Sequence, residues 1–556
     1  MSIRNIQQNA TSQRHLNAPR PIIRVPSSSG FQSVGSIWQR DPSWLAMPSV
    51  SASEQKIVIL TAVREQAEFV AFTISGAYTV DWGDGSAAQN YTSGSTAEYL
   101  YDYTDGDLAG TNGGVTFTDS GDLVNRTAHG YSNGDVVVFW SVTTTTGLTV
   151  GQPYYVINAA TNTFQVSATA GGSAVVLTND GSGSLLPYKQ AIITITPQAG
   201  QNLTSLNFSV RHSTSGLQAY ATGFLDVIIS VPNATSLAFG GSTVNHALIE
   251  RVDIKTIGSV TDMSNMFFNC YSLQSVPLFD TSAVTNMSYL FNNCFSLSSV
   301  PLFDTSAVTN MLYMFNTCYA LQSVPLLNTS AVTNMSSMFN LCYTLKSVPL
   351  FNTSAVTNMS SMFNNCFALS SVPLFDTSAV TNMAGIFQAC VSLSSVPLFD
   401  TSAVTNMSYM FNSCVSLQPV PLFDTSAVTN MLGMFNNCYS LQFVPLFDTS
   451  AVTNMSNMFN TCVSLQSVPA LDVSAVSSSA NFGSMFATCR SLVRIEASDF
   501  NYTFSVSGCK LGAVSLDEIY TNLPTVVGQT ITVTNNYGTA GDDPTIATAK
   551  GWTVTG

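Results

Sequence analysis

Between residues 254 and 495 apolar and polar positions recur with one fixed step. Val-Pro pairs begin at Val276, Val300, Val324, Val348, Val372, Val396, Val420, Val444 and Val468, a step of 24 residues, and cysteine keeps that step from Cys270 to Cys462. A fixed period of this size predicts a solenoid, in which each repeat buries its apolar side only by stacking on its neighbours. Within one repeat, 296–318, Leu297, Val300 and Leu302 fall on one face, and the alternation from Val300 to Leu302 predicts a short strand. Pro301 points the other way and cannot donate to a ladder. Met311, Met314, Phe315 and Cys318 follow at i, i+3, i+4 and i+7, the stripe of a short helix or 3₁₀ segment. Each rung is therefore expected to be strand, turn, short helix. The column Phe279, Phe303, Leu327, Phe351, Phe375, Phe399, Phe423, Phe447 is expected to flank the core, because an exposed apolar stripe of that length would promote aggregation.

Before the array the period changes to two. KIVILTAV and EFVAFTISGAYTVDWGDGS alternate as half-buried strands do, and AEYLYDY (97–103) and YKQAIITITP (188–197) supply the strand pair that closes a sandwich. This assigns 51–104 and 188–200 to a β-sandwich interrupted by an inserted β domain, 105–187, whose hairpins are marked by Asn133-Gly134, Asn162 and Gly171-Gly172. Apolar segments in 201–253 are expected to cap the first rung of the 254–495 solenoid, since an uncapped end would expose a strand edge and a slice of core. Residues 496–556 read as the opposite, α/β cap. Ser515 and Glu518 have capping-box spacing, QTITVTNN is a strand, and Asp543-Pro544 opens a helix that stops at Lys550-Gly551. Residues 1–50, broken by five prolines, read as an extended arm. The fold class is thus mostly β with short helices.

Charge narrows the partners. Only 9% of the residues are Asp, Glu, Lys or Arg, the net charge is −14, and 45% are apolar. The surface must be wetted by Ser, Thr, Asn and Gln, and its sign argues against nucleic acid as a partner. There is no apolar h-region at the start and no run of 18 apolar residues, so classical secretion and membrane insertion are both disfavoured. The arm is basic on an acidic protein: Arg4, Arg14, Arg20, Arg24 and Arg40 face one acid, Asp41, with Trp38, Trp44 and Leu45 as apolar pegs. It is expected to anchor the protein to an acidic neighbour.

Candidate chemistry is sparse. His15, His129, His212 and His246 are scattered, with no spacing for metal or triad chemistry, so no enzyme, cofactor or metal centre is expected. Nine of the eleven cysteines occupy one slot of one repeat and form a column of buried fillers, with no complementary pairs. Asp81 and Asp84 of DWGDG, and the column Asp280, Asp304, Asp376, Asp400, Asp424, Asp448, offer oxygens to a cation. Asn328 and Asn352 share that column, however, and what Asp and Asn have in common is an acceptor that closes a turn. One outward column differs between repeats: Tyr289, Tyr313, Ser337, Ser361, Gly385, Tyr409, Gly433, Asn457. Tyr289, Tyr313 and Tyr409 are its candidate binding residues, because tyrosine presents large amphipathic area at low entropic cost.

The phrase FDTSAVTNMSYMFNSCVSL, and its variants over 255–495, closely resembles the units of BspA-like leucine-rich-repeat surface proteins. That resemblance implies a leucine-rich-repeat solenoid, in which the asparagines at the 24-residue step from Asn286 to Asn454 satisfy the backbone of the adjoining rung. The DWGDG turn resembles PKD-like sandwich domains. HGYSNGDVVVF and YYVINAATNTFQVSAT resemble a small β module of tailed-phage structural proteins. Together the resemblances imply a virion-associated structural protein of a tailed phage, assembled in the host cytoplasm. In that reading the arm docks it to capsid or tail proteins, it is homo-oligomeric or multicopy on the particle, and the solenoid is presented to a host-surface glycan or protein. The alternative they imply is a bacterial surface adhesin.

Overall fold

The structure, a computed structural model, describes residues 38–40, 44–63, 69–84, 86–101, 113–149, 153–169, 171–213, 223–241, 246–498 and 500–556. It is mostly β with few helices, as expected. The alternating segments form β1 (Lys56–Val63), β2 (Phe69–Ser75), β3 (Tyr78–Asp81), β4 (Gln89–Tyr91) and β5 (Thr96–Leu100). There follow β6 (Gly113–Thr118), β7 (Leu123–Asn125), β8 (Val136–Thr143), β9 (Pro153–Ile157), β10 (Thr163–Ser167) and the long β11 (Gly181–Pro197). The chain divides into two compact units, residues 1–43 with 104–188 and residues 44–103 with 189–556.

In the first unit the first half of β11 pairs on one side with β6 and on the other with β8, Ser182 facing both Thr116 and Thr143. The remaining pairings run β6, β7, β10, β9, β8. The order therefore returns to its start, and a closed sheet leaves no edge exposed for foreign pairing. Phe117, Phe139, Tyr154, Phe164 and Leu185 fill its interior, all nearly inaccessible.

In the second unit β12 (Ser205–Asn207), β13 (Phe224–Val231), β14 (Ser236–Ala238) and β15 (Arg251–Ile257) complete two sheets. One runs β15, β13, β1, β11, β3, β4 and the other β14, β12, β2, β5. Phe72, Trp82 and Phe208 are buried in this core. β13 pairs with β15, and β12 with β14, in parallel, so stacking begins inside the sandwich. Parallel bridges then pass from Asp262 to Asn286, Asn310 and onward to Asn454. One hydrophobic core runs unbroken from Ile57 to Trp552.

Each rung is held to the next by four backbone hydrogen bonds that run forward, while the Thr309 N–H donates back to the carbonyl of Thr285 in the preceding rung at 2.9 Å. The N–H groups of Met311, Tyr313, Phe315 and Thr317 donate to the carbonyls of Asn334, Ser336, Met338 and Asn340 at 3.1, 3.1, 2.9 and 2.7 Å. The intervening residues close turns, with Met314 donating to Met311 and Cys318 to Phe315, both at 3.2 Å. No helix forms here. Tyr313 and Thr317 take φ of 54° and 64°, the left-handed region, which breaks a helix but aims every second N–H at the next rung. Met311, Met314, Phe315 and Cys318 are nonetheless all fully buried, since two chained turns present the same side that a helical stripe would.

The extended part of the rung also departs from simple alternation. Val300 and Phe303 face inward, but Leu302 does not share their face: it is 59% exposed. Phe303 donates to the carbonyl of Pro301 at 3.0 Å, a three-residue turn centred on Leu302 that throws its side chain outward. The same leucine in every repeat from Leu278 to Leu446 is 59–61% exposed.

The array closes through β16 (Ser467–Asp472) against β17 (Arg494–Ser498), then a parallel sheet of β18 (Phe504–Ser505), β19 (Gln529–Thr532) and β20 (Trp552–Thr555). Helix α1 (Ala513–Asn522) starts earlier than the Ser515 and Glu518 spacing suggests. Glu518 pairs instead with Arg494 at 2.8 Å, so no capping box forms. Helix α2 (Thr545–Thr548) follows Asp543-Pro544. Beyond it Lys550 Nζ donates to the carbonyls of Tyr520, Thr521 and Leu523, which satisfies the end of α1.

Candidate recognition surfaces

The tyrosine column has a backbone reason for its variability. Tyr289, Tyr313, Ser337, Ser361, Gly385, Tyr409, Gly433 and Asn457 all have φ between 54° and 60°. Each N–H in this column bonds to the next rung, Tyr289 to Leu312 at 2.8 Å and Tyr409 to Leu432 at 2.7 Å. Left-handed backbone disfavours any Cβ by roughly 1–2 kcal/mol, so glycine and asparagine suit the site and tyrosine does not. Yet tyrosine occupies three of its positions. Tyr289 and Tyr313 stack at 4.9 Å between ring centres and 18° between planes, both half-buried. Burial pushes the Tyr289 phenol above its ordinary range. Tyr409 lies over the next glycine: a Cβ on Gly433 would come within 2.7 Å of its ring.

A second aromatic column escaped the sequence reading. Tyr271, Phe295, Tyr319, Tyr343 and Phe367, each directly after the repeat cysteine, stack in succession at 4.6–4.8 Å with planes within 17°. All five are half-buried. Burial pushes Tyr343 up to about 12. The signal was present in the slot after each cysteine, but Val391, Val415 and Val463 interrupt it further along.

The acidic positions make turns. Asp304 Oδ1 accepts from the N–H and hydroxyl of Ser306 at 3.0 and 2.6 Å, and Asn328 does the same for Ser330 at 3.1 and 2.8 Å. The bonds from Ser306 hold the Asp304 carboxyl below the usual carboxylate range. In the DWGDG turn, Asp81 accepts from Gly83 and Asp84 from Ser86, each at 3.0 Å, and Tyr99 donates to Asp84. The Asn column also works locally: Asn310 Oδ1 accepts the N–H of Leu312, two residues on in its own rung, at 3.1 Å. The bonds to the adjoining rung are made by backbone. At the first rung Asp262 serves Ser264 in the same way, at 2.8 Å. Among the described residues no group of three or more His, Cys, Asp or Glu is placed to hold a metal ion.

The eleven cysteines are all free and buried. Those of the array donate weakly to a carbonyl of the preceding rung, Cys318 Sγ to Phe291 at 3.2 Å. Of the anchoring residues, Arg4, Arg14, Arg20 and Arg24 lie outside the described residues. Trp38 and Arg40 are half-buried. Trp44 is 7% exposed, so its ring is enclosed by its own chain and does not protrude. Among the described residues no helix is long and apolar enough to cross a membrane.

These features define a leucine-rich-repeat-like solenoid built on a β-sandwich. Residues 236–349, 344–443 and 415–503 match the family model described as Mycoplasma protein of unknown function, DUF285. Similar solved structures include the leucine-rich-repeat protein of T. pallidum, at 20% identity over 39% of this chain and 83% of that one, with a TM-score of 0.25. A leucine-rich-repeat protein from Eubacterium ventriosum has 16% identity over 49% and 88%, TM-score 0.31. The pneumococcal vaccine antigen PcpA has 11% identity over 71% and 99%, TM-score 0.30. No curated protein matches the chain.

Proposed function

We propose that the protein is a non-enzymatic recognition protein whose solenoid presents Tyr289, Tyr313 and Tyr409 to a glycan or protein on a cell surface, in the manner of a bacterial surface adhesin. The observation that carries this reading is the backbone under those tyrosines. Serine, asparagine and glycine fill the same left-handed slot elsewhere, so the fold does not require tyrosine there, and large half-exposed rings at such a slot are better explained by a role than by drift. Gly385 and Gly433 supply the unstrained alternative in the same column. The match of the array to a family described from Mycoplasma supports the bacterial setting.

The second reading is a virion-borne spike of a tailed phage, attached through the basic arm. It is favoured by the resemblance of the inserted β domain to phage structural modules. Either setting uses the same face.

The test is binding of the full chain to glycan arrays and to intact bacterial or host cells, compared with Tyr289, Tyr313 and Tyr409 all changed to serine. Serine already occupies this column at Ser337 and Ser361, so the variant keeps the fold. Loss of binding is expected; equal binding by the variant removes the tyrosine face.

A further inference from the structure

The ridge that begins at Leu278 and ends at Leu446 has no counterpart in this reading. Its leucines are 59–61% exposed, one per rung, and Leu302, Leu326, Leu350, Leu374 and Leu422 each sit at the apex of a three-residue turn. At roughly 100 Å² of exposed apolar surface per leucine, the ridge offers on the order of 800 Å², above the largest patch of an ordinary monomer and equal to one partner's share of a standard interface. Phe443, 55% exposed, widens it near the far end.

We infer that the ridge is the face on which two copies of this chain pack, with their arrays parallel and related by a two-fold axis along the array. Equal spacing is the first reason. A second copy carries the same step, so leucines at every rung come into register together, whereas an unrelated partner would have to reproduce that step.

Charge sets the orientation. Along each rung the ridge is preceded by an uncharged position, as at Ser299 and Ser323, and followed by the acidic column, as at Asp304 and Asp376. Packing the arrays antiparallel would lay one acidic column against the other. Packing them parallel sets the acids of each copy beside the uncharged column of its partner, which is serine except at Pro419 and Phe443. In that arrangement each leucine meets its own counterpart, Leu278 against Leu278.

The mass of the full chain in solution at micromolar concentration tests the association. A dimer of the 59.2 kDa chain is expected. Leu302→Lys, Leu350→Lys and Leu398→Lys combined should give a folded monomer with the wild-type far-UV spectrum, and one whose melting temperature no longer rises with protein concentration. A wild-type monomer, or a dimer that survives the three lysines, overturns the proposal. A monomer that dimerises once residues 1–37 are deleted would assign the ridge to the arm and overturn it equally.

Orientation is read by cross-linking, since every native thiol is buried. Leu278→Cys alone should form an intermolecular disulfide under mild oxidation. Cross-linking only when Leu278→Cys is mixed with Leu446→Cys would overturn the parallel arrangement.

Discussion

Gly433 and Ser361 occupy equivalent points of two rungs, with φ of 58° and 54°, and differ only in what a side chain meets there. On Gly433 a Cβ would collide with the Tyr409 ring as well as strain the backbone. Gly433→Ala should therefore lower stability by about 2 kcal/mol. Ser361→Gly relieves the same strain but loosens the unfolded chain, so it should be neutral to stabilising by about 0.5 kcal/mol. Thermal melting of the two variants distinguishes a strained column from one that merely meets water. Sequence comparison among repeats could detect that this column varies. It could not detect left-handed backbone, because tyrosine, serine and asparagine give no common signal for it.

At the scale of the rung, buried titrating groups fix how stability responds to pH. The eleven thiols are protonated in the core, and burial pushes Cys366 and its equivalents well above the ordinary value. The unfolded chain loses these protons above about pH 8.5 while the folded chain keeps them. Stability should therefore fall as pH rises past that point. Melts at pH 8 and pH 10 measure the fall, and Cys366→Ala should shrink it. On the acid side His246 is fully enclosed, stacked on Phe224 at 5.3 Å, and burial pushes it down to about 4. The unfolded histidine protonates from about 6.5 downward and the folded one does not, so stability is lost between those values and the loss levels off below. The loss should be on the order of 3 kcal/mol. Denaturant midpoints at pH 7 and pH 4.5 should differ less in His246→Phe than in the parent.

Much of the rung was legible in the sequence. Val300, Met311, Phe315 and Cys318 are buried because every stacked unit must bury the same slots, and a strict period displays such slots openly. Leu302 was misassigned because a turn of three residues does not obey the strand's period of two. Chained turns imitated a helix because both bury positions three and four apart. The Glu518 pairing was invisible for another reason: its partner Arg494 lies 24 residues away, on a different element.

For the molecule as a whole, the division into two units suggests what can be removed. The half of β11 from 189 to 197 pairs with β1 and β3, and the half from 181 to 188 with β6 and β8. Replacing residues 104–188 by a short Gly-Ser linker should leave the sandwich and solenoid folded, with the far-UV spectrum and melting temperature of the remainder retained. Collapse of the melting transition would mean that the second unit depends on the first.

The hydrogen bonding between rungs, repeated from one to the next, has a consequence for inheritance. Each rung receives on its carbonyls the same four donors that it offers onward. The first rung is met by the N–H groups of Phe239 and Gly240, which donate to Met266, and the last is met by the C-terminal cap. A whole unit of the array can thus be gained or lost without either end being rewritten. Tandem stretches so nearly alike invite unequal recombination, which adds or deletes them in register. The array can then change length by single rungs while each remaining rung keeps the same bonds to its neighbours.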